Sequence, residues 1–119
     1  MIGLLILTGL TAYFFAVGQA RDKQRMSDIA AIQTALQIYY KENGFYPTGQ
    51  SIAQPMGMTG YLDNWPTPPQ PSGLCTKTQN QYLYSQKANG EDFNLSFCLG
   101  QKTDVLSAGP HTLASKGIQ

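Results

Sequence analysis

The chain has 119 residues, a formal net charge of +1 and 13% charged residues. So small and balanced a charge argues against the electrostatic footprint of a nucleic-acid-binding protein. Two cysteines and one histidine cannot complete a zinc site. Beyond an apolar N-terminal stretch there is room for one small domain only.

Residues 1–18 carry no charge, and their only polar side-chain groups are Thr8, Thr11 and the Tyr13 hydroxyl. A hydrocarbon core about 30 Å thick needs roughly 20 apolar residues at 1.5 Å each. The run is just long enough, or slightly short. Exposed to water, each large side chain would cost roughly 1.5–3 kcal/mol, so the segment is expected to be buried in lipid or among other subunits. A secretory signal peptide is the rival reading, but no basic segment precedes Ile2 and no small-residue cleavage site stands out beyond 16–18 and 18–20.

Met26, Ile29, Ile32, Leu36 and Tyr39 or Tyr40 then recur at intervals of three and four, the spacing of one helix face. Asp28, Gln33, Gln37 and Lys41 fall between them. Asn43-Gly44 supplies a helix stop, and Pro47 prevents resumption. The expectation is one helix with a transmembrane or filament-core part over 1–19 and an amphipathic part over 20–43, followed by a small head over 44–119. Arg21, Lys23 and Arg25, interleaved with Asp22 and Asp28, read as a solvated collar at the lipid boundary.

In the head, Phe45-Tyr46-Pro47 is expected to fold back on the helix end. Met58, Tyr61 and Leu62, with Met56, are expected to plug the helix stripe as adaptable loop residues. The Pro-rich run from Trp65 to Pro71 reads as a stiff extended connector rather than a ligand for an SH3 or WW domain. The clearest strand signal is a hairpin, 81–87 and 92–99, around a two-residue Asn89-Gly90 turn. That turn sets Tyr84 opposite Leu95 and Tyr82 opposite Phe97. Phe93, Leu95, Phe97 and Leu99 then share a face with both tyrosines. Residues 105–108 suggest a short third strand, with a polar tail after Gly109-Pro110.

Cys75 and Cys98 suit one disulfide in an oxidising compartment, with Cys98 on the sheet face opposite Phe97. Closing a loop of roughly 24 residues would stabilise so small a head by about 3 kcal/mol. The positive-inside rule applied to residues 21–25 would place the head in the cytoplasm, whereas the cysteine pair places it outside. The flank is mixed in sign, so the cysteines weigh more. His111 reads as a surface imidazole, with no carboxylate placed to make a nucleophile of Ser107 or Thr112. Glu42, Glu91, Asp92 and Asp104 offer oxygens for calcium, but Glu91-Asp92 is more simply a solvated turn. Asn94-Leu95-Ser96 matches a glycosylation sequon, but in mid-strand. Nothing reads as an active site, and no cofactor is expected.

Four stretches carry a resemblance. The apolar run from Ile2-Gly3-Leu4-Leu5, the amphipathic half from Ala20 to Tyr40, the exit Asn43-Gly44-Phe45-Tyr46-Pro47, and Tyr82-Leu83-Tyr84 with 94–99 resemble the type IV pilin and type II secretion pseudopilin family. The small heads of major pseudopilins are the most similar. The resemblance implies an α+β fold, with one long N-terminal helix packed on a small antiparallel sheet through Ile29, Ile32, Leu36, Tyr39, Tyr82, Tyr84, Phe93, Leu95 and Phe97. It implies a non-enzymatic structural subunit whose filament core would be Leu4, Leu5, Leu7, Leu10, Tyr13, Phe14 and Phe15. Its partners would be further copies of itself and related pilins, the inner-membrane assembly machinery and, before assembly, membrane lipid, with no nucleic acid. The subunit would wait in a bacterial inner membrane with its head outside the cytoplasm, then join a periplasmic or extracellular filament. The family's leader, cleavage glycine and assembly glutamate fall on no residue of this sequence. The mature start is expected about three helical turns upstream. A membrane-tethered binding module, such as a minor pilin capturing DNA or a surface, is the alternative. A tethered envelope enzyme would need a catalytic constellation the sequence does not supply.

Overall fold

A computed structural model describes residues 2–55, 57–71, 73–103 and 106–118, with side chains described from residue 16 onward. The fold is α+β. One helix, α1 (Ile2–Asn43), spans 42 residues. It is followed by four strands: β1 (Leu83–Lys87), β2 (Asp92–Leu99), β3 (Gly109–Ala114) and β4 (Gly117–Ile118). They form one antiparallel sheet in the order β1-β2-β3-β4. The molecule measures 64 × 25 × 23 Å, so the helix sets its length.

The helix continues through residues 16–43 because the apolar stripe has a sheet to pack on, while its opposite face stays wet. Ile29, Ile32, Ala35 and Leu36 are buried, whereas Ala20, Ser27, Ala30, Ala31 and Thr34 on the other side are exposed. The helix stops where the sequence predicts, with the Gly44 amide reaching back to the Tyr40 carbonyl at 2.7 Å.

β1 and β2 pair with Tyr84 opposite Leu95, the predicted register. The turn itself differs. Lys87 pairs with Asp92, so four residues rather than two bridge the strands. Ala88 and Asn89 lie at positive φ, 52° and 55°. A four-residue loop centred on the same dipeptide conserves the register because residue i of β1 and its partner still sum to the same value. On the inner face Tyr84, Phe93, Leu95, Phe97 and Leu99 are buried against Ile29, Ile32 and Leu36, in one cluster with Tyr46, Met58, Tyr82 and Leu113. Tyr39, Tyr61, Leu62 and Trp65 pack on its margin.

The third strand is not where the sequence suggests. Residues 106–108 are irregular, Asp104 and Val105 lie outside the described residues, and the pairing partner of β2 is Gly109–Ala114. Gly109-Pro110 reads as a break, yet a proline is tolerated among the first residues of a strand. Pro110 sits there, opposite Cys98. The polar tail supplies β4, paired to β3 through Leu113 and Ile118.

The disulfide joins Cys75 to Cys98 with a Cα–Cα distance of 5.8 Å. It covers the outer face of the sheet at β2 and draws the preceding loop against the strand end. Gly73 makes that approach possible: at φ +57°, a Cβ added there would lie 1.8 Å from the Gly100 carbonyl oxygen. No larger residue fits without moving backbone. The Pro-rich segment 65–71 is without regular structure, as expected of an extended connector.

Candidate functional site

The feature that organises the junction of helix and head is a buried polar cluster at the lower end of the amphipathic half. Arg25 and Asp22, one turn apart, form a buried ion pair at 2.6 Å, with side-chain exposures of 0% and 6%. The Arg25 guanidinium donates through Nε to Asn80 Oδ1 at 3.0 Å and through Nη2 to the Gln70 carbonyl at 2.7 Å. Asp22 accepts the backbone N–H groups of Gly100 (2.8 Å) and Gln101 (2.9 Å). Asn80 in turn donates to the Pro69 carbonyl at 2.6 Å. One arginine thus ties the helix to the Pro-rich connector and the disulfide loop, while its carboxylate partner ties it to the end of β2.

This corrects two expectations. Arg25 is not part of a solvated collar, and Asp28 does not face water: it is buried, accepting from Gln24 Nε2 and from the Tyr82 hydroxyl, each at 2.8 Å. A buried charge is tolerated only when paired and hydrogen-bonded, and this cluster meets that condition. Burial pushes the Tyr82 phenol far above its ordinary value, and the adjacent Asp28 carboxylate, which takes its hydrogen bond, pushes it further. Burial likewise raises Tyr84, whose hydroxyl donates to the Pro47 carbonyl at 2.6 Å.

At the other end of the helix Tyr46 turns back into the core. Its ring packs on Tyr40 and Phe93, with centroids 4.6 and 4.8 Å away. Its amide donates to the Gly90 carbonyl at 2.7 Å, so helix exit and hairpin tip hold each other. Phe45 leans on Tyr39 edge-on at 6.0 Å and stays 44% exposed.

Of the candidate calcium oxygens, Asp104 lies outside the described residues, and Glu42 and Asp92 are each engaged by partners of their own. Glu42 accepts the Tyr61 hydroxyl at 2.6 Å. Asp92 Oδ1 accepts the amides of Phe93 (2.7 Å) and Ser115 (3.0 Å), tying the β3–β4 turn to the start of β2. Among the described residues no group of three or more metal-ligating side chains converges. His111 stacks on Phe97 at 5.7 Å, and its Nε2 lies 2.7 Å from the Ser107 carbonyl.

The Ser115 amide, with the Phe93 amide and Lys116, holds the Asp92 carboxyl below its usual range. A depressed folded-state value stabilises above the ordinary carboxylate pKa of about 3.9 and fades as pH falls through the folded value. The melting-temperature deficit of Asp92→Ala should therefore be full at neutral pH and close below about pH 4. Thermal melts of both proteins across that range check it; a deficit constant with pH would count against the carboxylate's role.

Among the described residues one cavity opens at the helix–head junction and another within the head. One, of about 370 Å³, lies between Gln19, Asp22, Lys23 and Met26 of α1 and Gln101–Thr103 beyond β2. The other, of about 420 Å³, runs beside Trp65, Pro66, Pro68 and Tyr82. Leu4, Leu5, Leu7, Leu10, Tyr13, Phe14 and Phe15 belong to α1 by backbone, but their side chains lie outside the described residues. Among the described residues no helix is long and apolar enough to cross a membrane. No protein-family model, curated protein or solved structure matches the chain.

Proposed function

We propose that this chain is a pilin-like structural subunit of a type IV pilus or type II secretion pseudopilus, polymerised through the apolar part of α1. The observation that carries the reading is the division of one continuous helix. The head's buried contacts with α1 run from Gly18 to Tyr39, while the uncharged residues 2–17 continue the same helix past the grip of Asp22 and Arg25. An apolar rod of that kind needs lipid before assembly and neighbouring helices after it. Exchange of one for the other is the assembly step. The head contributes a rigid cap, held by the disulfide, that fixes each rod's orientation.

Leu10→Lys places a charge in the middle of that rod, where burial without a counter-ion is prohibitive. The expected result is loss of filaments in electron micrographs of sheared material, with the Cys75–Cys98 head still folded by near-ultraviolet circular dichroism. Wild-type filament yield from this variant would overturn the proposal.

A further inference from the structure

Two of the chain's asparagines, Asn43 and Asn89, precede glycine. That dipeptide is the one most open to deamidation, because no side chain on the following residue shields the asparagine Cγ from the backbone nitrogen that attacks it. The two sites stand on either side of one joint. Asn43-Gly44 ends α1, and Asn89-Gly90 lies in the hairpin tip, where the Gly90 carbonyl accepts the Tyr46 amide at 2.7 Å.

At Asn43 both reacting groups are engaged. The Gly44 nitrogen, which would attack, donates to the Tyr40 carbonyl at 2.7 Å. The carboxamide nitrogen, which would leave, donates to the Tyr39 carbonyl at 2.9 Å and to the Tyr61 hydroxyl at 3.1 Å. Turning Asn43 for attack would also unwind the last turn of α1. Asn89 is exposed, and among the described residues no hydrogen bond holds its carboxamide. It stands at φ 55° and ψ 37°, with Ala88 before it at φ 52°. Asparagine tolerates that left-handed region, but Ala88 has no polar side chain to offset its strain. Opening this loop therefore relieves strain, whereas opening the other site costs helix.

We propose that Asn89 is a site of spontaneous modification, deamidating through a succinimide to isoaspartate and so loosening the tie between hairpin tip and helix exit. The Gly90 nitrogen loses its proton to hydroxide and bonds to Asn89 Cγ. The Cγ–Nδ2 bond then breaks, and that nitrogen takes a proton from water and leaves as ammonia. Water adds to one of the two ring carbonyls. Cleavage at the main-chain carbonyl routes the chain through Cβ and Cγ as isoaspartate; cleavage at Cγ gives aspartate. Isoaspartate puts an extra methylene into the backbone. Gly90 has no room to absorb it, since even a Cβ there would stand 2.9 Å from Phe45 Cβ and 3.2 Å from Gln86 Nε2. The Gly90 carbonyl must then move off the Tyr46 amide. Either product also sets a new carboxylate beside Glu91 and Asp92 and removes the chain's formal net charge of +1. The inference stands independently of the assembly reading.

Peptide mapping that separates isoaspartate from aspartate tests it, on the full chain in mild detergent at mildly alkaline pH. Asn89 should deamidate about tenfold faster than Asn43 or more, the factor that one retained hydrogen bond supplies. In urea with the disulfide reduced, the two sites should react at similar rates. In Asn89→Gln, whose longer side chain disfavours the five-membered ring, labelling by isoaspartyl methyltransferase should vanish. In the isoaspartate form, isolated by anion exchange, the Tyr46 amide should exchange with deuterium about tenfold faster, while the paired Ile52 and Tyr84 amides keep their protection. Equal rates at the two sites in the folded chain, an Asn89 that reacts only after unfolding, or labelling that survives Asn89→Gln would overturn the site. The same gap persisting in urea would trace the difference to neighbouring residues and overturn the structural account. Unchanged Tyr46 exchange in the isoaspartate form would overturn the loosening.

Discussion

Asp22→Ala is expected to destabilise the head by about 3–5 kcal/mol, the cost of breaking a buried ion pair from one side. The mutation removes the Asp22 carboxylate from the fully buried Arg25 guanidinium. It also removes the acceptor of the Gly100 and Gln101 amides. Arg25→Met should cost less. Its side chain is uncharged and of similar length, and Asp22 would keep its two backbone donors while Asn80 and the Gln70 carbonyl lose one partner each. Urea denaturation of the two single variants checks this asymmetry. Equal losses would mean that neither partner is the hub, and a larger loss for Arg25→Met that the arginine is.

Replacing both cysteines by alanine is expected to cost about 3 kcal/mol by the loop-entropy estimate for a separation of 23 residues. The loss has a second source. The loop closed by Cys75 carries Asn80, and the adjoining residues carry Gln70, both partners of Arg25. A loosened loop therefore weakens the ion-pair cluster as well. Asp22→Ala and the double cysteine variant should then combine to less than the sum of their separate costs, since each damages the same joint. Chemical denaturation of the oxidised protein, the cysteine variant and the triple variant measures this. Strict additivity would show that disulfide and ion pair act independently.

Much of the fold is legible in the sequence because two local signals are strong. The three–four spacing from Ile29 to Leu36 fixes the buried helix face, and alternation around Asn89-Gly90 fixes which side chains of β1 and β2 share a face, Tyr84 with Leu95 among them. The turn type is not legible, since a two-residue and a four-residue loop about one centre leave the same pairing. β3 is hidden because His111 and Thr112 lack strong apolar alternation and Gly109-Pro110 mimics a stop. What makes it a strand is the open edge of β2, a tertiary fact. The buried cluster at the junction is hidden for a different reason: the charge of its members masks their phase. Arg25 lies four residues before Ile29, on the buried stripe, and Asp22 lies three before Arg25, so helical position alone marked both as inward. Beside the Asn80 side chain, they meet backbone groups of Gly100, Gln101 and Gln70, which no residue-type pattern announces.

The head's hold on α1 begins and ends at two separated points, Asp22 with the end of β2 and Tyr40 with Tyr46 beneath the hairpin tip, with Ile29, Ile32 and Leu36 packed on the sheet between them. These points stand about 27 Å apart along the helix axis. A pull along that axis, as a growing or retracting fibre would apply, loads both attachments in shear at the same moment, instead of peeling them open one after the other. Rupture under load is governed by the rate of crossing the unfolding barrier, and shear requires both joints to yield in that single crossing. Under the proposed assembly, the helix would thus be drawn along the direction in which its joints to the head must yield together.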